Sequence, residues 1–78
     1  MQQYIFWLKN WFAQRKELPE NAEEKNYFEI GLIDSLGVIE LIESIEQEFN
    51  IHLSQDHFQD RRFSSIKGLA EIIHELKI

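Results

Sequence analysis

Gly31-Leu32-Ile33-Asp34-Ser35-Leu36 is the segment of this chain whose residue types and order could do chemistry. A hydroxyl stands beside a carboxylate, soon after a flexible Gly and at the head of the most regular apolar spacing in the sequence. Two uses fit. In one, Ser35 or Asp34 caps a helix by accepting backbone N–H bonds. In the other, the Ser35 hydroxyl carries a phosphate ester, seated where the free N–H groups and dipole of a helix start favour an anion. Spacing alone favours the cap, the commoner use of such residues.

Other chemistry finds little support. His52, His57 and His74 form no HExxH or other metal spacing, so no metal is expected. The carboxylates do not fall into an ordered set with a His and a nucleophile, and no Gly-rich phosphate loop is present. A domain this small has little room for a deep pocket. The expectation is a protein that is not an enzyme.

Helices must position the Asp34-Ser35 pair. Residues 35–49 carry Val38, Leu41, Ile42, Ile45 and Phe49 on one stripe. Leu36, Glu40, Glu43 and Gln47 fall on the opposite face, with Ile39 and Glu46 on a flank. Asn50 ends the helix, and Ile51-His52-Leu53 is a short extended piece. Before it, residues 2–16 place Tyr4, Ile5, Leu8, Trp11, Phe12 and Arg15 on one face, with Phe6 and Trp7 off its centre. Residues 17–33, punctuated by Pro19, read as a long loop pinned by Tyr27, Phe28, Ile30, Leu32 and Ile33. A short helix is expected near 57–62, with Phe58 facing in. A last helix at 65–77 buries Ile66, Leu69, Ala70, Ile73 and Leu76 behind a Ser64 or Ser65 cap. The predicted core joins Ile5, Leu8, Phe12, Phe28, Val38, Leu41, Ile42, Ile45, Phe49, Leu53, Phe58, Ile66, Leu69 and Ile73. The fold class is all-α: a small four-helix bundle of three long helices and a short third one, over a single domain at 1–78.

Composition sets limits on partners and staples. With 78 residues and no Cys, neither a disulfide nor a thiolate metal site can supplement a thin core, which leaves helix packing. Fourteen acidic residues face eight basic ones, and none of the basic ones lies between Asn26 and Asp60. Nucleic acid is therefore not an expected partner, since phosphate binding needs clustered Lys and Arg. A one-sign surface steers basic partners, although it also simply solvates a helix face. The longest apolar run, Tyr4 to Leu8, is too short to span a bilayer, so no membrane insertion is expected. Met1-Gln2-Gln3 has no basic side chain, so no signal peptide is expected. A soluble, cytoplasmic monomer is the default.

Asp34-Ser35-Leu36, followed by Val38-Ile39-Glu40-Leu41-Ile42 and Glu46-Gln47-Glu48-Phe49, resembles the acyl and peptidyl carrier protein family. The likeness covers essentially the whole chain and is strongest from Tyr27 to Phe49. It implies an acyl-carrier-protein-like bundle. Ser35 would receive 4′-phosphopantetheine from coenzyme A through a separate phosphopantetheinyl transferase, with Asp34 and Leu36 beside it. The arm's thiol would hold an acyl or aminoacyl group as a thioester, which suits a chain with no Cys of its own. Leu36, Ile39, Glu40, Glu43, Glu46 and Gln47 would form a docking face for partners: an adenylate-forming ligase, an acyltransferase or a synthase. Arg61 and Arg62 break the acidic surface near the third helix. They would either sort partners or bond to Asp56 or Asp60.

The sequence departs from the fatty-acid synthesis carriers, which usually place Asp and then Thr after D-S-L. Here those positions are Gly37 and Val38, and Glu43 replaces a common Met. Phe28-Glu29-Ile30-Gly31-Leu32-Ile33 and the Phe58-to-Arg61 region look more like the D-alanyl carrier of teichoic acid modification, or other specialised stand-alone carriers. The alternatives are the fatty-acid carrier itself, and an unmodified helical interaction module in which Ser35 is only a cap.

Overall fold

A computed structural model describes residues 2–77; residues 1 and 78, the ends of the expected 1–78 domain, lie outside the described residues. Four helices follow in order: α1 (Gln2–Ala13), α2 (Ser35–Phe49), α3 (Gln55–Gln59) and α4 (Ile66–Lys77). Two 3-10 turns, Ala22–Glu24 and Arg61–Ser64, interrupt the connections. Among the described residues the only extended pairing is an isolated antiparallel bridge between Asn26 and Ser65. The all-α bundle expected from periodicity is the observed fold.

α4 is the element around which the others pack. Ile66, Leu69, Ala70, Ile72 and Ile73 are fully buried, so α4 meets neighbours over more than one stripe. Ser65 caps it, its Oγ accepting the Gly68 N–H at 3.0 Å. Gly68 permits the closest approach: a Cβ there would lie 2.2 Å from the Arg62 carbonyl oxygen. α1 contributes Tyr4, Leu8, Trp11 and Phe12, and α2 contributes Leu41 and Ile45. Ile5, Val38, Ile42, Phe49 and Leu76 are half-buried and close the rim of the core.

Several expectations need correction. α1 ends at Ala13 instead of residue 16, because both the Arg15 and Lys16 N–H groups turn back to the Phe12 carbonyl, at 2.9 Å each. The short helix expected at 57–62 is split into α3 and the turn at Arg61–Ser64. Phe58 is consequently 41% exposed and stacks edge-on against Phe63, which takes the core position. Phe28, also 41% exposed, lies outside Tyr27, whose ring is fully buried. The Asn26 side chain decides that choice: its Oδ1 accepts the N–H groups of Phe28 and Glu29 at 2.9 and 3.1 Å, folding the chain so that Tyr27 enters. Ile30, at 41% exposure, does not pin the loop either. The loop is not featureless, since it holds the Ala22–Glu24 turn. Asn50 ends α2 as expected, in a left-handed conformation with φ 55°.

Candidate functional site

The first turn of α2 is held from below by the loop that precedes it. The Tyr27 N–H donates to the Ser64 carbonyl at 3.0 Å, and its hydroxyl donates to the Phe63 carbonyl. Burial pushes the Tyr27 phenol well above its ordinary range, so it stays a neutral donor. The Leu32 N–H returns to the Tyr27 carbonyl at 3.0 Å. Gly31, at φ +74°, makes the reversal that this bond requires. Its carbonyl accepts the Lys16 ammonium at 2.7 Å. Leu32 and Ile33 are buried, so the chain reaches Asp34 already anchored.

Asp34 is the N-cap. Its backbone is extended (φ −110°, ψ −178°), and its Oδ1 accepts the Gly37 N–H at 2.7 Å. A side chain at 37 would crowd this bond: a Cβ there would stand 3.1 Å from Asp34 Oδ1 and 2.9 Å from Ile33 Cγ1. Of the two capping candidates Asp34 takes the role, and the Ser35 hydroxyl stays outside the capping bond. Ser35 is the first residue of α2 and is exposed. The arrangement presents a hydroxyl to solvent at a helix start, which can accept a bulky anionic substituent without disturbing the core.

Around it the expected surface residues divide into two groups. Leu36 and Ile39 are 68% and 54% exposed, uncommon values for large aliphatic side chains beside one another, and Glu43 and Gln47 are exposed with them. Glu40 is exposed and has the Arg15 guanidinium 3.9 Å away, which itself lies 3.7 Å above the Trp11 ring. Glu46, on the flank of that face, also has a structural bond. It is half-buried and its Oε2 accepts the Leu53 N–H at 2.8 Å, tying α2 to the segment before α3. Arg61 is exposed, whereas Arg62 is not a free cation. Arg62 Nη2 donates to Asp60 Oδ2 at 2.9 Å and to Glu75 Oε1 at 3.1 Å, and Nη1 lies 3.6 Å from Glu71. Hydrogen bonds from the Arg62 side chain, and for Asp60 also from its backbone N–H, hold the carboxyls of Asp60 and Glu75 below their usual ranges.

The sequence alone does not mark Arg15 and Lys16 as site residues. With Leu32, Leu36 and Glu40 they border an open groove of about 440 Å³, between the end of α1 and the start of α2. Arg15 and Lys16 follow the end of α1, and only a hint in their position before the long loop could have flagged them. Among the described residues no helix is long and apolar enough to cross a membrane.

Residues 7–73 match the family described as a phosphopantetheine attachment site. The chain is similar to the acyl carrier protein homolog of Mycoplasma pneumoniae, with 36% identity over 81% of this chain and 68% of the relative. It is 30% identical to the D-alanyl carrier protein of Streptococcus pyogenes over 69% of this chain and 68% of that one. The D-alanyl carrier protein of Streptococcus suis is 31% identical over 65% of this chain and 70% of its own length. No solved structure matches the chain.

Proposed function

We propose, from the premise that this chain belongs to the phosphopantetheine-attachment family, that Ser35 is the residue esterified by the arm. The protein is a carrier and not an enzyme, and its cofactor is covalent 4′-phosphopantetheine. The arm's thiol supplies the thioester chemistry when it is present. One observation carries the assignment to Ser35: Asp34 makes the capping bond, so the exposed hydroxyl at the first residue of α2 has no structural duty there. A phosphodiester on Ser35 would lie at the helix start, where backbone N–H groups and the dipole favour negative charge. Asp34 orients the turn and adds the acidic neighbour that a transferase would read.

The chain's residues present the arm and bind partners. A phosphopantetheinyl transferase would load Ser35, and an adenylate-forming ligase, an acyltransferase or a synthase would load or unload the thiol. Leu36 and Ile39 would supply apolar contact, with Glu40, Glu43 and Gln47 around them. Glu46 and Arg62 would serve the carrier's own architecture, given their bonds to Leu53 and to Asp60 and Glu75. Arg61 remains available to a partner. We read the cargo as an acyl or aminoacyl group of a specialised pathway. Gly37, Val38 and Glu43 support this, as do the D-alanyl carriers among the similar proteins. The protein would act as a soluble cytoplasmic monomer, as one domain over 1–78.

The test is intact mass after incubation with coenzyme A and a broad-specificity phosphopantetheinyl transferase. The wild type should gain one arm and Ser35→Ala none, with both chains equally helical by circular dichroism. Loading of Ser35→Ala would overturn the assignment. An unmodified wild type would favour the interaction-module reading instead.

A further inference from the structure

α3 is the least secured helix of the bundle. It has five residues and none of them is buried. Phe58, its largest apolar side chain, is 41% exposed and meets Phe63 edge-on at 5.3 Å. A helix this short does not sustain itself, because one turn fixes more dihedrals than its few hydrogen bonds offset. Its start therefore matters. The His57 and Phe58 N–H groups donate to the Ser54 carbonyl, at 3.0 and 3.4 Å. The His57 side chain reaches back in return. Its Nδ1 accepts the Ser54 backbone N–H at 2.9 Å and lies 3.0 Å from the Ser54 hydroxyl. In a capping box that position is normally Glu or Gln, which keep an acceptor there throughout the neutral range.

A histidine accepts at Nδ1 only while it is neutral with its proton on Nε2. Imidazoles take up a second proton between about pH 8 and pH 5. Nδ1 then becomes a donor that faces another donor. The groups around the ring favour that step on balance. Asp56 precedes it in α3. Asp60, at the end of α3, and Glu75, on α4, have carboxyls held down chiefly by hydrogen bonds from Arg62, and a positive charge on His57 adds to the effect. Arg62, bonded to both carboxylates, is the like charge that opposes it. A protonated ring thus has carboxylates to turn to on leaving Ser54. His52, nearby in sequence, responds in the opposite sense. Its Nδ1 is 3.4 Å from Glu46 Oε2, the atom that accepts the Leu53 N–H at 2.8 Å. Protonation there adds an attraction and leaves the Leu53 bond in place. Acid keeps the link between α2 and α3 closed at Leu53 and releases it at Ser54.

We propose that the His57 imidazole is an acid-sensitive latch on α3: neutral, it closes the helix start on the Ser54 N–H; protonated, it lets go, and α3 unwinds inside a bundle that stays folded. The bistable element is the segment 54–60, and the ring has a partner in each state: the Ser54 N–H in one, the Asp60 and Glu75 carboxylates in the other. The bundle survives because Leu53 and Phe63, on either side of α3, are buried and hold the segment at two fixed points. The latch involves neither Ser35 nor an arm on it, so it goes beyond the carrier reading and stands or falls apart from it.

Ring-nitrogen spectra of His57 and Cα chemical shifts of residues 55–59 test this on the whole unmodified chain. At about pH 7.5 the His57 ring should carry its proton on Nε2, and residues 55–59 should show helical shifts. By about pH 5 those residues should lose at least about half of the helical shift, with the same midpoint as the His57 ring. α1, α2 and α4 should keep theirs, and the Leu53 amide should keep its position. His57→Gln retains an acceptor without a titrating ring and should hold α3 at both pH values. A neutral ring protonated on Nδ1, helical shifts unchanged in acid, loss of the whole bundle over the same range, or an equal loss in His57→Gln would overturn the latch. Where α3 of the variant is loose at both pH values, the wild-type tautomer and the shared midpoint decide.

Discussion

Asp34→Ala should cost about 0.5–2 kcal/mol in urea melts, because the Gly37 N–H loses its acceptor. Ser35→Ala, one residue on, should change the melt by no more than a few tenths of that while abolishing loading. A large cost at Ser35 would mean that its hydroxyl shares the cap. Tyr27 makes a sharper case. Tyr27→Phe leaves the Phe63 carbonyl without its donor in a buried place and should cost about 1–3 kcal/mol. Its pH dependence has a definite sign. The folded phenol titrates above its ordinary value of 10.0 because it is buried. The unfolded chain therefore loses this proton first. Stability from this group is full below pH 10 and falls as pH rises beyond it, and Tyr27→Phe should lose that part of the alkaline slope. The importance of Tyr27 was only half legible in sequence. Tyr27 and Phe28 are adjacent aromatics of similar hydrophobicity, and the Asn26 side chain selects between them through bonds that no periodicity records.

α2 was legible almost to the residue, because a regular apolar stripe, a cap and Asn50 all agree on its limits. α3 was not. Its five residues are too few for periodicity, and the choice of Phe63 over Phe58 as the core ring depends on how the Arg61–Ser64 turn lies on Gly68. That close approach gives a prediction for the α4 interface. Gly68→Ala would drive a Cβ into Arg62 backbone and should destabilise by about 1–3 kcal/mol in urea melts, despite Ala being the better helix former. The ion cluster around Arg62 adds an acid limb. The hydrogen bonds it makes hold Asp60 and Glu75 below their ordinary values of 3.8 and 4.5. The stability they contribute is full above about pH 4.5 and is lost as pH falls through the folded values. Arg62→Met should therefore narrow its gap in Tm to the wild type as the pH is lowered from 6 to 3. On α2, Glu40→Lys with Glu43→Lys should slow transferase loading several-fold at low salt and less at high salt, since screening weakens steering. Ile39→Ala should weaken loading at any salt, because its contact is apolar area.

At the scale of the whole molecule, the bundle of 30 × 25 × 21 Å leaves its acidic helix on the outside and its most deeply buried helix, α4, at the centre. The charge pattern of the chain foretold the acidic outer face of α2, whereas the central place of α4 and the groove at the end of α1, which depends on the early unwinding of residues 14–16, were not legible in it. The tryptophans have a further consequence. Both Trp7 and Trp11 belong to α1; the Trp11 indole N–H reaches Ser44 of α2 at 3.2 Å, and the Arg15 guanidinium covers its ring. The emission spectrum of the unlabelled protein is thus a local gauge of the seam between the first two helices. Loosening of that seam will wet the indoles and move the emission to longer wavelength, even if α4 and the helix content are unchanged. Fluorescence and circular dichroism melts that coincide mean that the seam opens only with the whole bundle, and an earlier fluorescence transition means that α1 parts from α2 first.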